Sequence, residues 1–122
     1  MSVNLVKLCV GADDISDLVN WQNRLQATYG KVFHTTRMVP KRQGDLLEGG
    51  SLYWVIKRQI RVRQQIIDIE EFVDDQGIRR CHLHLDPELV HTRLQERRPF
   101  QGWRYLTKED IDGHLIHLRR AS

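Results

Sequence analysis

Cysteine, proline and methionine are scarce in this 122-residue chain, with two, three and two copies, and aromatic residues make up only 7% of it. Each shortage excludes something. Cys9 and Cys81 stand far apart in the sequence and follow no metal or redox spacing, so they read as two small buried thiols of a reducing cytoplasm, not as a disulfide scaffold. No apolar run approaches the roughly 20 residues of a membrane-spanning helix. Met1 to Gly11 has a short apolar stretch but neither a basic leader nor a small-residue cleavage site, so no signal peptide is expected and the expected location is cytoplasmic. Catalytic signatures are missing too. There is no Gly-x-Ser-x-Gly elbow and no phosphate loop, and Gly49-Gly50-Ser51 lacks the strand before it and the helix after it that such motifs need. Glu70 and Glu71 are adjacent, so on a strand they point to opposite faces and make a poor acid–base pair. No segment is of low complexity and none reads as a linker, which leaves one globular domain over residues 1–122.

What is present is charge, unevenly spread. The net charge is only +3, yet residues 31–63 hold eight lysines or arginines against Asp45 and Glu48, a local balance of +6. Residues 64–90 hold Arg79 and Arg80 against seven acids, a balance of −5, and residues 91–122 return to +3. Such a chain can turn a basic face to a polyanion, or its two blocks can pair with each other across strands.

The hydrophobic pattern gives an α+β order. Val3 to Val10 alternates well enough for an opening strand that Gly11 ends. Asp13 or Asp14 then caps a long helix running to about Thr28, with Ile15, Leu18, Val19 and Leu25 on one stripe, Trp21 at its edge, Asn20, Gln22, Asn23 and Gln26 outward, and Gly30 as the stop. Val32 to Val39 is short and mixed. Asp45 to Glu48 reads as one helical turn, broken by Gly49-Gly50 before the clearest strand, Ser51 to Lys57, apolar on both faces and therefore central. Ile60 and Val62 alternate with Arg61 and Arg63, and the phase then slips, which predicts a bulge near Gln64 to Ile67 and a bent strand. Asp74 to Gly77 is a turn into Ile78 to Leu85, where Cys81, Leu83 and Leu85 face inward and Arg80, His82 and His84 outward. Asp86-Pro87-Glu88 has the form of a helix start. Thr107 to Asp110 resembles a capping box, and the tail from Gly113 reads as a last strand or a frayed end. The expected fold is a small, curled, mostly antiparallel sheet or pseudo-barrel of about five or six strands, with one long N-terminal helix.

The densest stretch is Arg97-Arg98-Pro99-Phe100-Gln101-Gly102-Trp103-Arg104-Tyr105-Leu106, three aromatics and three arginines around a turn. Rings beside cations either plug the open end of a core or grip a ligand. In the second reading Arg37, Lys41, Arg42, Arg61 and Arg63 neutralise phosphates, Trp103 and Tyr105 stack on bases, and Arg98 and Arg104 flank them. That reading turns on one piece of geometry: the bent strand must carry Arg61 and Arg63 to the side of Trp103. The competing reading is a protein–protein or homodimer module anchored by Phe100, Trp103 and Tyr105. A third is an enzyme, which predicts a deep pocket with convergent polar groups and shifted pKa values. His82 and His84, with His91, His114 or His117, form no convincing zinc set, so no metal and no cofactor is expected.

Several blocks together resemble an uncharacterised bacterial family, domain of unknown function 1489. They are Leu5 to Gly11, Arg37 to Arg42, Gly49 to Lys57, Arg63-Gln64, Gly77 to Cys81, Leu85 to Val90 and the decapeptide above. The order of elements also resembles the small curled barrels of the pseudouridine-synthase-and-archaeosine-transglycosylase-like (PUA-like) group. That resemblance implies RNA or modified-base binding, although the Gly-x-Lys-x-x-Glu-x-Arg pattern of the related ASCH domains is absent. The partners this implies are RNA or a nucleotide, with no membrane.

Overall fold

The computed structural model describes residues 3–106, so the Thr107 to Asp110 capping box, His114, His117 and the tail lie outside the described residues. The elements are β1 (Asn4–Leu8), α1 (Ile15–Tyr29), β2 (Val32–Thr36), α2 (Gln43–Leu46), β3 (Ser51–Ile56), β4 (Gln59–Val73), β5 (Arg79–Leu85), β6 (Val90–Glu96) and β7 (Trp103–Leu106). Seven strands form one mixed, open sheet in the order β2-β5-β4-β3-β1-β7, with β6 on the other flank of β4. Only β1 and β3 run parallel; every other pairing is antiparallel. The sheet does not close, so the expected pseudo-barrel does not form, and it has seven strands among the described residues instead of five or six.

Asp14 is the helix cap, and Asp17 completes the box by accepting from the amides of Asp13 and Asp14 at 2.8 and 3.3 Å. Gly30, at φ 72°, ends the helix and donates to the Gln26 carbonyl. Gly50 is needed for space, because a methyl there would sit 2.4 Å from the Val3 carbonyl oxygen.

Strand β4 organises the sheet. Its first half pairs with β3 and β6, its second half with β5. Two single-residue insertions bend it. Trp54 faces Val62 and Val55 faces Ile60, which leaves Arg61 bulged; Ile66 faces Leu85 and Asp68 faces His84, which leaves Ile67 bulged. The second lies within the span where the phase slip predicts a bulge; the first was not foreseen.

The main core lies between α1 and the sheet and is built on Leu5, Leu18, Leu52, Trp54, Ile56, Val62, Ile66, Leu83 and Leu85. A smaller cluster on the opposite face joins Val6, Tyr53, Val55, Ile60 and Leu106, with Phe100 packed against it. Three expectations are corrected. Gln22 is 5% exposed, not on the solvent face, because its amide exchanges hydrogen bonds with Gln64. Asp86-Pro87-Glu88 opens no helix: Asp86 bends the chain by accepting from the Glu88 amide, and β6 follows. His84 is buried and bonds Glu70 at 3.0 Å, not an outward solvated imidazole, while the part-exposed His82 sits between Phe33 and Phe72. No helix among the described residues is long and apolar enough to cross a membrane.

Candidate functional site: a basic edge and an aromatic cleft

The edge strand β7 and the segment Arg37 to Arg42 are held together. The Trp103 indole donates to the Met38 carbonyl at 2.6 Å. The Tyr105 hydroxyl accepts from the backbone amides of Lys41 and Arg42, both at 3.2 Å, and the Arg42 guanidinium lies 5.9 Å from the ring centre. Arg42 also pairs with Asp45. These contacts correct the stacking role of Trp103. At 6% exposure its ring belongs to the core, where it meets Tyr105 edge-on, and it offers no face to a base. Tyr105 keeps 36% of its surface.

Arg61 and Arg63 are not brought together beside Trp103, so the arrangement on which the phosphate-and-indole reading turned does not form. As a bulged residue, Arg61 turns to the hairpin end, where it donates to the Ile56 carbonyl at 2.8 Å and to Gln59. Arg63, paired in register with Tyr53, points toward Ser51 at the other end of β3. Alternation along a regular strand would have aligned them; one extra residue breaks it. The row across that face runs Arg104, Val6, Tyr53, Arg63 through the pairings of β7, β1, β3 and β4. Arg104 covers the Phe100 ring at 5.1 Å. Arg98 and Arg104 line a shallow hollow with Phe100 and Tyr105, and Arg97 and Arg98 line another with Arg58 and Glu96.

The two charge blocks do not neutralise each other. The acidic β4–β5 hairpin supplies its own partners: Glu71 pairs with Arg79, Asp74 with Arg80 and Glu70 with His84. Among the described residues no carboxylate pairs with Arg58, Arg63, Arg97, Arg98 or Arg104, nor with Arg37 or Lys41. Arg58 sits in the two-residue tip between β3 and β4, where it and Lys57 adopt positive φ of 65° and 52°. Type I′ tips favour Asn-Gly, so this one holds two cations against backbone strain.

A second feature escaped the sequence reading. A cleft of about 440 Å³ opens between the end of β1 and the first half of α1. Trp21, His34 and Trp54 form its inner corner, three rings nearly perpendicular to one another at 77°, 87° and 88°. Lys7, Cys9, Asp17, Asn20 and Arg24 line the rest. Burial pushes the His34 imidazole down to about 3, so it is neutral near pH 7, and its Nε2 is buried with no partner. Burial also lowers the pKa of Lys7, whose ammonium bonds no carboxylate among the described residues. The Cys9 thiol is pushed up to about 11 by burial and stays protonated. Four separate elements, β1, α1, β2 and β3, build this cleft, and no local spacing in the sequence announces it. Among the described residues, no three metal-ligating side chains converge.

The fold has solved counterparts. ASCH from Zymomonas mobilis and its S128A mutant superpose with TM-scores of 0.61 and 0.60 at 11% identity. The superpositions cover 94% of this chain and 94% and 95% of those chains. ASCH domains are PUA-like, so the architecture is a PUA-like one. No curated protein sequence matches the chain. A family model described as "Protein of unknown function (DUF1489)" matches residues 5–121.

Proposed function

This chain belongs to the DUF1489 family, and because that family brings no activity with it, we propose one from the geometry: a binding module for RNA or a nucleotide-like anion. The observation that carries the proposal is the set of guanidiniums around the β7 edge that pair with no carboxylate among the described residues. Arg98 and Arg104 stand beside Phe100, Arg63 lies further along the same face, and Arg97 and Arg58 extend the set. On the other side of β7, Arg37, Lys41 and Arg42 follow the segment that Trp103 and Tyr105 anchor. Arginine matches phosphate oxygens two at a time and is weakly hydrated, so a cluster left unpaired favours a polyanion. Tyr105 is the ring left with exposed surface for a base; Trp103 acts as an anchor and Arg61 as a hairpin brace.

The PUA-like architecture supports the reading at the level of fold alone. The homodimer reading has less support, because Trp103 is buried and Arg104 covers the Phe100 ring, which leaves Tyr105 as the one exposed ring of its three anchors.

The test is fluorescence anisotropy with labelled single-stranded RNA at two salt concentrations. Neutralising several phosphates makes the affinity fall steeply with salt, with a log–log slope of about −0.7 per phosphate contacted. Arg98→Ala with Arg104→Ala should weaken binding and flatten that slope. Binding that is absent at low salt, or indifferent to salt, would falsify the proposal.

A further inference from the structure

The cleft at the end of β1 contains one buried polar atom with no partner, the Nε2 of His34. The partly buried ammonium of Lys7 lines the same cleft and bonds no carboxylate among the described residues. A buried polar atom left unsatisfied in a concavity calls for a partner, and a bound molecule can supply one. They share their surroundings: Lys7 acts electrostatically on His34, and both line the cleft with Trp21 and Trp54. The volume, about 440 Å³, suits a molecule of nucleoside size.

The walls narrow the chemistry. Trp21 is half-buried and keeps ring surface, while Trp54, at 1% exposure, forms the floor beneath it. Indole favours a planar π-system. The neutral imidazole offers Nε2 as donor or acceptor according to its tautomer, and the ammonium donates only. An occupant should therefore present ring acceptors, with donors close by. A compact oxyanion fits less well, because the Asp17 carboxylate lines the same space. Arg24 also lines it and can meet a phosphate attached to a ring held deeper in.

We propose that this cleft binds the heterocyclic base of a single nucleotide, stacked on Trp21 and hydrogen-bonded to Lys7 and His34. Two sources share this chemistry: a free mononucleotide, and a base turned out of an RNA strand held along the β7 edge. The first source is independent of the RNA reading above; only the second rests on it.

The experiment titrates the full chain with the four ribonucleoside 5′-monophosphates, with inorganic phosphate, and with a short single-stranded RNA with and without one abasic position. Calorimetry and indole fluorescence give the readout. At least one mononucleotide should bind and change the fluorescence, and inorganic phosphate should not compete with it. Lys7→Met and His34→Leu should each weaken that binding tenfold or more. If a variant unfolds by circular dichroism, the displacement of His34 and Trp21 resonances in the wild-type nuclear magnetic resonance spectrum takes its place.

A mononucleotide that binds while RNA does not would defeat the RNA reading and leave this one standing. Abasic RNA that binds more weakly than intact RNA would identify the strand as a source. The proposal is overturned if no mononucleotide binds and the abasic position changes nothing. It is equally overturned if inorganic phosphate competes fully, or if Lys7→Met binds as the wild type does.

Discussion

The carboxamides of Gln22 and Gln64 face each other between α1 and β4 and exchange two hydrogen bonds, at 2.7 and 2.8 Å. Gln64 is fully buried, and its oxygen also accepts from the Trp54 indole at 2.8 Å while its nitrogen donates to the Asp86 carbonyl at 3.1 Å. One amide thus ties helix, central strand and the β5–β6 connection. Replacing it with leucine strands three partners at once, and Gln64→Leu should cost on the order of 3 kcal/mol in urea unfolding. Gln22→Ala removes fewer contacts and should cost about 1–2 kcal/mol. A loss below about 0.5 kcal/mol for Gln64→Leu would mean that the network is not structural.

The anchoring of the basic segment gives a second expectation. Tyr105→Phe deletes the acceptor shared by the Lys41 and Arg42 amides, and Trp103→Phe deletes the donor to Met38. Each should cost about 1 kcal/mol and speed amide hydrogen exchange at residues 38–42. Unchanged exchange in both variants would show that the segment is held by something else.

The tip between β3 and β4 offers a gain. Arg58 at φ 65° can become glycine without strain, so Arg58→Gly should stabilise by about 0.5–1 kcal/mol. The same change should weaken RNA binding, because it removes one of the guanidiniums that pair with no carboxylate among the described residues. Lower stability in the variant would place the contacts of Arg58 above its strain.

His34 sets a pH dependence whose sign follows from its burial. Its folded value of about 3 lies below the ordinary 6.5, so between those values the unfolded chain binds a proton that the folded chain refuses. Stability from this group is present above about pH 6.5 and is lost as the pH falls toward 3. The carboxylates of Glu71 and Asp74, lowered by hydrogen bonds from Arg79 and Arg80, lose theirs further down, below the ordinary carboxylate range. Comparing wild type with His34→Leu by denaturation at pH 5 and pH 7 isolates the imidazole, and the variant should show the shallower decline. Parallel profiles would contradict the assignment.

Thiol labelling checks the cleft from another side. Cys9 and Cys81 are both pushed up to about 11, chiefly by burial. At pH 8 a disulfide reagent should modify them about two orders of magnitude more slowly than a free cysteine, since only the thiolate attacks. Labelling of Cys9 at the free-thiol rate would show that the β1 end of the cleft is open.

What the sequence showed of the fold was its local part. Asp14 and Gly30 bracket a helix because their chemistry acts within one turn. The alternation of β3 and the phase slip near Ile67 are local as well. β6 was hidden because Asp86-Pro87 imitates a helix start, and the partner that makes it a strand, β4, lies some thirty residues back. The site was legible in part for the same reason. Charge counting found the arginines, but whether acids met them depended on pairing within the β4–β5 hairpin. Trp103 joined the core because Met38 supplied a carbonyl, a contact spanning 65 residues. Lys7 and His34 carry no motif; only the stacking of four elements makes them neighbours.

Strand β1 lies between β3 and β7, so residues 4–8 pair with residues 52–55 and 103–106. During synthesis this segment leaves the ribosome nearly a hundred residues ahead of β7 and has no complete berth until that strand has followed. Its side chains Leu5 and Val6, fully and almost fully covered at the end, stay open to solvent and to other chains in the meantime. Chaperone dependence should therefore fall on the opening strand, and a circular permutant that moves residues 4–8 to follow β7 should refold faster than the natural order.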